Sequence, residues 1–197
     1  MAVIDTAPET VAAASEAPLG ERVEPTGFAA VLGTGDHKVI GRLYVGTALV
    51  LGAVVAALGL LFSFEGIATD SVSIFANDTV VQFWTLMRLG GVFLVAFPLT
   101  IGVAMIVVPL QVGARAIAFP RAAAASYWAF LVGAGLFVAS YAINGGPGGG
   151  RTEGVNLWIA SFGLIVVAIL LAAVCLATTV FALRPTGLTM DRVPLYA

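Results

Sequence analysis

Four apolar stretches, each long enough to cross a lipid bilayer as a helix, constrain the fold of this chain more than any other feature. They cover residues 39–64, 80–108, 122–143 and 155–183. A helix needs about 20 apolar residues to cross the hydrocarbon core, where every backbone hydrogen bond must be satisfied internally. With 60% hydrophobic and 10% charged residues, little of the chain remains for a water-soluble domain. The sequence therefore predicts an all-α membrane protein whose residues 35–197 form one bundle of four transmembrane helices.

Residues 1–34 differ from the rest of the chain in composition. They are rich in Ala, Glu, Pro and Thr, and Arg22 is the only basic residue among several acidic ones. This segment contains too few apolar side chains to form a core of its own. We expect an N-terminal tail that is either disordered or ordered by a partner, and in the second case Phe28 is the best anchor.

The basic residues are unevenly distributed between the two ends of the predicted helices. One set lies where the first helix begins, between the second and third helices, and after the fourth: Lys38, Arg42, Arg115, Arg121, Arg184 and Arg192. The loops at the other end carry only Arg151. Because positively charged loops stay in the cytoplasm, we expect both termini to be cytoplasmic. The basic residues form no compact cluster of the kind that binds nucleic acid, which excludes that class of partner.

Arg88 is the one charged residue well inside an apolar stretch. An arginine at the centre of a membrane helix costs about 2.5–3.5 kcal/mol on insertion scales and is usually hidden from lipid. We therefore predict that Arg88 makes a contact with an acid, a carbonyl group or a lipid headgroup. Trp84, one turn earlier, has the amphipathic ring of an interfacial anchor. Pro98 is expected to kink the same helix because a proline removes one backbone hydrogen bond.

The chain offers few side chains for a metal or a cofactor. His37 is its only histidine and Cys175 its only cysteine, so it cannot supply two histidines or a pair of cysteines by itself. Asp36 stands where a carboxylate accepts hydrogen bonds from the first N–H groups of a helix. We interpret His37 as a polar residue at the helix entrance. The sequence predicts no catalytic residue and no metal site.

Several short motifs, in order and at matching spacing, resemble subunit I of the haem-copper (aa3-type cytochrome c) oxidase family. They are DHKVIG at 36–41, VPLQVGA at 108–114, AFPR at 118–121, SYW at 126–128, LW at 157–158 and TGLTM at 186–190, followed by Arg192 and Pro194. The resemblance covers nearly the whole chain except the tail. It implies a degenerate form of the N-terminal four-helix part of that subunit, located in the bacterial plasma membrane as a multi-pass protein.

The second helix departs from the family pattern at a position that matters for chemistry. The family has a histidine there that is an axial ligand of the low-spin haem. Alignment without gaps places Met87 at that position and Arg88 at the glycine that follows. Ser63 stands where the family has an arginine that contacts the same haem. Since the family's copper ligands belong to later helices, we expect no cofactor in this chain, and we expect haem a and copper in partner subunits.

The resemblance favours a noncatalytic accessory subunit of an aa3-type cytochrome c oxidase, similar to the accessory membrane subunits of actinobacterial bc-aa3 respiratory supercomplexes. Such a subunit supports assembly, stability or lipid packing, and its partners are other oxidase subunits, the cytochrome bc complex and membrane lipids. Two alternatives remain open. One is an electron-transfer subunit that binds haem through Met87 and a ligand from a partner. The other is an oxidase assembly factor, which copurifying proteins would identify.

Overall fold

The computed structural model describes residue 31, residues 33–67 and 77–185, and residues 187 and 193. Within this part of the chain all regular structure is helical. The elements are α1 (His37–Ile67), α2 (Asn77–Leu89), a π-helical segment (Gly90–Ala96), α3 (Phe97–Val112), α4 (Pro120–Ala142) and α5 (Thr152–Ala182). Phe28 and most of the predicted tail lie outside the described residues, as does most of the last family motif.

Four helices are long and apolar enough to cross a membrane, because α2, the π-helical segment and α3 continue one another. The candidate spans are His37–Ile67, Thr79–Val112, Pro120–Ala142 and Thr152–Ala182. Each coincides with one of the apolar stretches of the sequence to within a few residues. The prediction of an all-α membrane protein with four transmembrane helices is confirmed.

Local sequence signals set several of the helix ends. The Asp36 carboxylate accepts a hydrogen bond from the Lys38 N–H at 2.9 Å, so α1 begins before the apolar stretch does. After α3, Gly113 adopts a left-handed conformation with φ of 76°, which a residue without a Cβ accepts at no steric cost. Pro120 occupies the first turn of α4, where its missing N–H needs no partner.

The π-helical segment lies directly before Pro98, where the sequence predicts a kink. The N–H of Phe97 donates to the carbonyl of Val92, five residues earlier, instead of four. Because Pro98 has no N–H, a regular α-helical turn would leave the carbonyl of residue 94 without its usual donor. A wider turn spreads this mismatch over neighbouring residues. The distortion expected at the buried Pro98 therefore takes the form of a π-helical turn on its N-terminal side.

The four spans pack as a ring of neighbours. α4 and α5 share the largest interface, α1 lies along α3 and the π-helical segment, α3 contacts α5, and α1 contacts α4. The largest buried side chains are Tyr44, Phe130, Phe137, Ile40, Leu94 and Met105. Packing and interhelical hydrogen bonds hold helices together in a membrane. The Tyr44 hydroxyl donates to Ser126 Oγ at 3.1 Å and supplies one such bond between α1 and α4.

Glycines allow the helices to approach closely at two interfaces. A Cβ on Gly102 of α3 would lie only 2.8 Å from the carbonyl oxygen of Gly41 on α1. A Cβ on Gly133 of α4 would lie 3.3 Å from the backbone nitrogen of Ile165 on α5. Gly135 faces open space instead. The close approach of α4 and α5 therefore depends on Gly133 and not on Gly135.

Candidate functional site

Met87 is part of the packing between α1 and α2. Its side chain is half-buried, and a Cβ on Gly59 of α1 would lie 3.4 Å from the Met87 sulfur. Three residues later, at the start of the π-helical segment, Gly90 leaves room for Val55, whose Cγ2 would lie 3.2 Å from a Cβ at that position. A glycine on one helix thus faces a larger side chain on the other at both places. Met87, which the family resemblance aligns with a haem ligand, is thus a packing residue in this structure.

Trp84 and Arg88 form an exposed pair on the same helix. They are one turn apart, so their side chains lie on one face of α2. The Arg88 Cζ lies 4.7 Å from the centroid of the Trp84 ring, within the range of a cation–π interaction. Trp84 is 49% exposed, and Arg88 is exposed as well. We call these two residues the Trp84–Arg88 pair.

The Arg88 side chain is exposed on the surface of this chain, whereas an arginine within a membrane span is usually buried. Its guanidinium group forms no ion pair with any residue that the structure describes. The reason is geometric, because successive residues of an α-helix are rotated by about 100°. When Met87 faces α1, the next side chain turns toward the outside of the bundle. A further contact of Arg88 with an acid or a headgroup stays a prediction.

A polar contact missed by sequence reasoning lies near the same end of the bundle. The Gln82 side-chain amide donates to Asn144 Oδ1, which joins α2 to the turn after α4. Gln82 is only 4% exposed although it stands at the edge of the apolar stretch. A cavity of about 400 Å³ lies beside this pair and is also lined by Phe83 and Tyr141. The sequence signal for this contact is a glutamine in the first turn of an apolar stretch.

His37 lies at the opposite end of the bundle and is buried. Its Nδ1 lies 3.7 Å from Asp36 Oδ1, and its Nε2 has no hydrogen-bond partner among the described residues. His37 is the first residue of α1, in agreement with the interpretation as a polar residue at the helix entrance. Only 6% of its surface is accessible, which its position outside the apolar stretch does not indicate.

The donor atoms around Met87 do not fit a haem. The Met87 sulfur packs on Gly59, and the Ser63 hydroxyl already donates to the carbonyl of Gly59 at 2.9 Å. His37 lies about 33 Å away from Gly59 along α1, at 1.5 Å per residue. Among the described residues, no three His, Cys, Asp or Glu side chains form a group that could hold a metal ion. We assign no chemical step to Met87 or Arg88, and the expectation that this chain holds no cofactor stays a prediction.

The class of protein follows from these features. Four long apolar helices pack through glycines, aromatic rings and a few interhelical hydrogen bonds, as in a multi-span helical membrane protein. More specifically, the chain belongs to the cytochrome c and quinol oxidase polypeptide I family, whose sequence model matches residues 39–197. The resemblance inferred from the short motifs is confirmed. Family membership and the four spans together place the protein in the bacterial plasma membrane.

Individual relatives match most of this chain but only part of their own length. A protein of Streptomyces coelicolor described as a cytochrome c oxidase subunit 1-beta is 34% identical over 83% of this chain and 31% of the relative. The cytochrome c oxidase subunit 1 of Corynebacterium efficiens is 28% identical over 89% of this chain and 34% of the relative. The quinol oxidase subunit 1 of Bacillus subtilis is 28% identical over 83% of this chain and 27% of the relative. The chain thus spans about a third of the length of the curated relatives it matches.

Proposed function

We propose that this chain is a noncatalytic accessory subunit of an aa3-type cytochrome c oxidase within a bc-aa3 respiratory supercomplex. The observation that supports this role most strongly is the environment of Met87. At the position where the family resemblance implies a haem ligand, a thioether packs on Gly59 within the α1–α2 interface. The chain keeps the family's helices while the local donor set does not fit the cofactor. Haem a, copper and oxygen reduction then belong to other subunits, and this one supports their assembly or stability.

The Trp84–Arg88 pair is the proposed contact with another oxidase subunit. Arg88 lies about 12 Å along the helix from Val80, below the membrane surface. An exposed guanidinium at that depth is unfavourable in lipid and favourable beside an acid or a carbonyl group of a partner. The Trp84 ring orients the guanidinium from one side, which leaves the other side open for that contact.

The orientation proposed for this subunit places both termini in the cytoplasm. Lys38, Arg42, Arg115 and Arg121 are exposed at the end of the bundle where α1 and α4 begin and α3 ends. The positive-inside rule assigns this end to the cytoplasm. Cysteines introduced singly at exposed Ala116 and Glu153 test the assignment with a membrane-impermeant thiol reagent. Labelling from outside the cell is expected at position 153 only, and labelling at position 116 only would overturn it.

Replacing Arg88 by leucine tests the proposed contact. A tagged chain extracted in mild detergent is expected to carry oxidase subunits, and Arg88→Leu is expected to reduce their recovery severalfold because the polar contact is lost. The matched control is Arg151→Leu, which removes an exposed arginine from the same end of the bundle. Equal recovery of oxidase subunits with both variants would show that Arg88 makes no such contact.

A further inference from the structure

A groove between α1 and α4 lies on the outside of the bundle, nearer the basic end than Met87 is. Its volume is about 470 Å³, and it is lined by Arg42, Leu43, Gly46, Thr47, Val50 and Leu131, among others. Apart from Arg42 and Thr47 these side chains are apolar. We call this feature the α1–α4 groove.

The groove follows one face of α1. Its α1 residues lie on successive turns from Arg42 to Leu51, which corresponds to about 13 Å along the helix axis. Thr47, one of its lining residues, forms a hydrogen bond of 3.0 Å with the Tyr127 hydroxyl, which links α1 to α4 beside the groove. Gly46 is exposed, and a Cβ at that position would meet no atom within 4 Å, so this part of the groove is open.

Positive charge is confined to one end of the groove. The Arg42 side chain is exposed and forms no ion pair with the described residues. Lys38 lies one turn earlier on α1 and is also exposed, so its ammonium group can approach the same ligand. Long basic side chains near helix ends extend toward the membrane surface, where lipid phosphates lie.

We propose that the α1–α4 groove binds one anionic phospholipid, whose phosphate contacts Arg42 and Lys38 and whose acyl chain lies against Gly46, Val50 and Leu131. A cationic end joined to an apolar channel is complementary to an amphiphile with a negative headgroup. The proposal requires only that the chain lies in a bilayer, so it is independent of the oxidase role.

Filling the groove tests the proposal without disturbing the fold. Gly46→Leu places a side chain in open space, and Gly163→Leu is the matched control because it does the same on the surface of α5. The full chain is purified in detergent, mixed with equal amounts of phosphatidylglycerol and phosphatidylcholine, and examined by native mass spectrometry. The wild type and Gly163→Leu should retain one phosphatidylglycerol, whereas Gly46→Leu should lose it. Arg42→Gln should lower the preference for phosphatidylglycerol by about fivefold, the effect of one basic residue near the membrane surface.

Four results would overturn the proposal. The first is that the wild type retains both lipids equally. The second is that Gly46→Leu and Gly163→Leu retain phosphatidylglycerol equally. The third is that excess inorganic phosphate displaces the lipid, which would identify a plain anion site. The fourth uses a photoreactive label on Gly46→Cys in native membranes. The label should react with lipid, and a protein adduct would show that a partner covers the groove instead.

Discussion

Met87 and Arg88 are adjacent in sequence but belong to different surroundings. The methionine packs against Gly59, and the arginine is exposed beside Trp84. Met87, which the family resemblance aligns with a haem ligand, and Arg88, the proposed contact residue, are therefore separable by mutation. A change at residue 87 alters the α1–α2 interface, whereas a change at residue 88 alters only the outer surface of the bundle.

At the residue scale, Met87→Leu should leave the haem content of the oxidase unchanged. Leucine conserves the apolar volume against Gly59, so the stability of the chain should change by less than about 1.5 kcal/mol. The ratio of haem to protein in the purified complex is the measurement, and Met105→Leu, which makes the same change in the buried core, is the control. Loss of a haem with Met87→Leu alone would instead favour the electron-transfer alternative.

The sequence identifies Arg88 and Trp84 as notable but does not determine which way they face. Whether Arg88 is covered depends on which helices pack beside α2, and residue order alone does not specify this. The same reason explains the burial of His37 and the pairing of Gln82 with Asn144, which are distant in the chain. The Asp36 cap is predictable because it depends on atoms two residues apart.

At the scale of single elements, glycine spacing controls how closely α1 and α3 approach. Gly102 and Gly41 bring the two backbones into contact, and a Cβ on Gly102 would also lie 2.9 Å from the Cβ of Tyr44. Neither the Gly41 carbonyl nor the Tyr44 Cβ can move aside as a flexible side-chain tip would. The interface therefore tolerates no side chain at position 102 without separation of the helices.

Gly102→Ala should destabilise the bundle by about 1–3 kcal/mol, the usual penalty for overpacking. Gly135→Ala is the control, and it should be neutral or stabilising by up to about 1 kcal/mol, because alanine favours the helix and the site is open. Unfolding of the purified chain in mixed detergent micelles measures both. Equal stabilities of the two variants would contradict the close approach of α1 and α3.

The helices themselves are predictable because length and hydropathy decide them, and the four spans follow the apolar stretches closely. The π-helical form of the turn before Pro98 is not predictable from the sequence. Proline predicts that a hydrogen bond is missing, but several backbone arrangements accommodate that loss. In this segment Gly90 packs against Val55 and Leu94 is buried, and such contacts depend on tertiary structure.

At the scale of the whole molecule, the surface of the bundle has three distinct regions. The Trp84–Arg88 pair lies toward one end, the α1–α4 groove with its two cations lies toward the other, and apolar side chains such as Leu60 and Val167 cover much of the remainder. Such a surface suits a subunit that is surrounded by lipid and other membrane helices. It also explains why the proposed function depends on contacts rather than on a reacting centre.

Identification of the proteins that copurify with the tagged wild-type chain tests the central proposal most directly. The complex is extracted from native membranes in mild detergent, and its components are quantified by mass spectrometry against an untagged strain. We expect the subunits of an aa3-type oxidase, together with those of a cytochrome bc complex, in a fixed ratio to this chain. Recovery of the chain in intact form without any oxidase subunit would contradict its role as an accessory subunit.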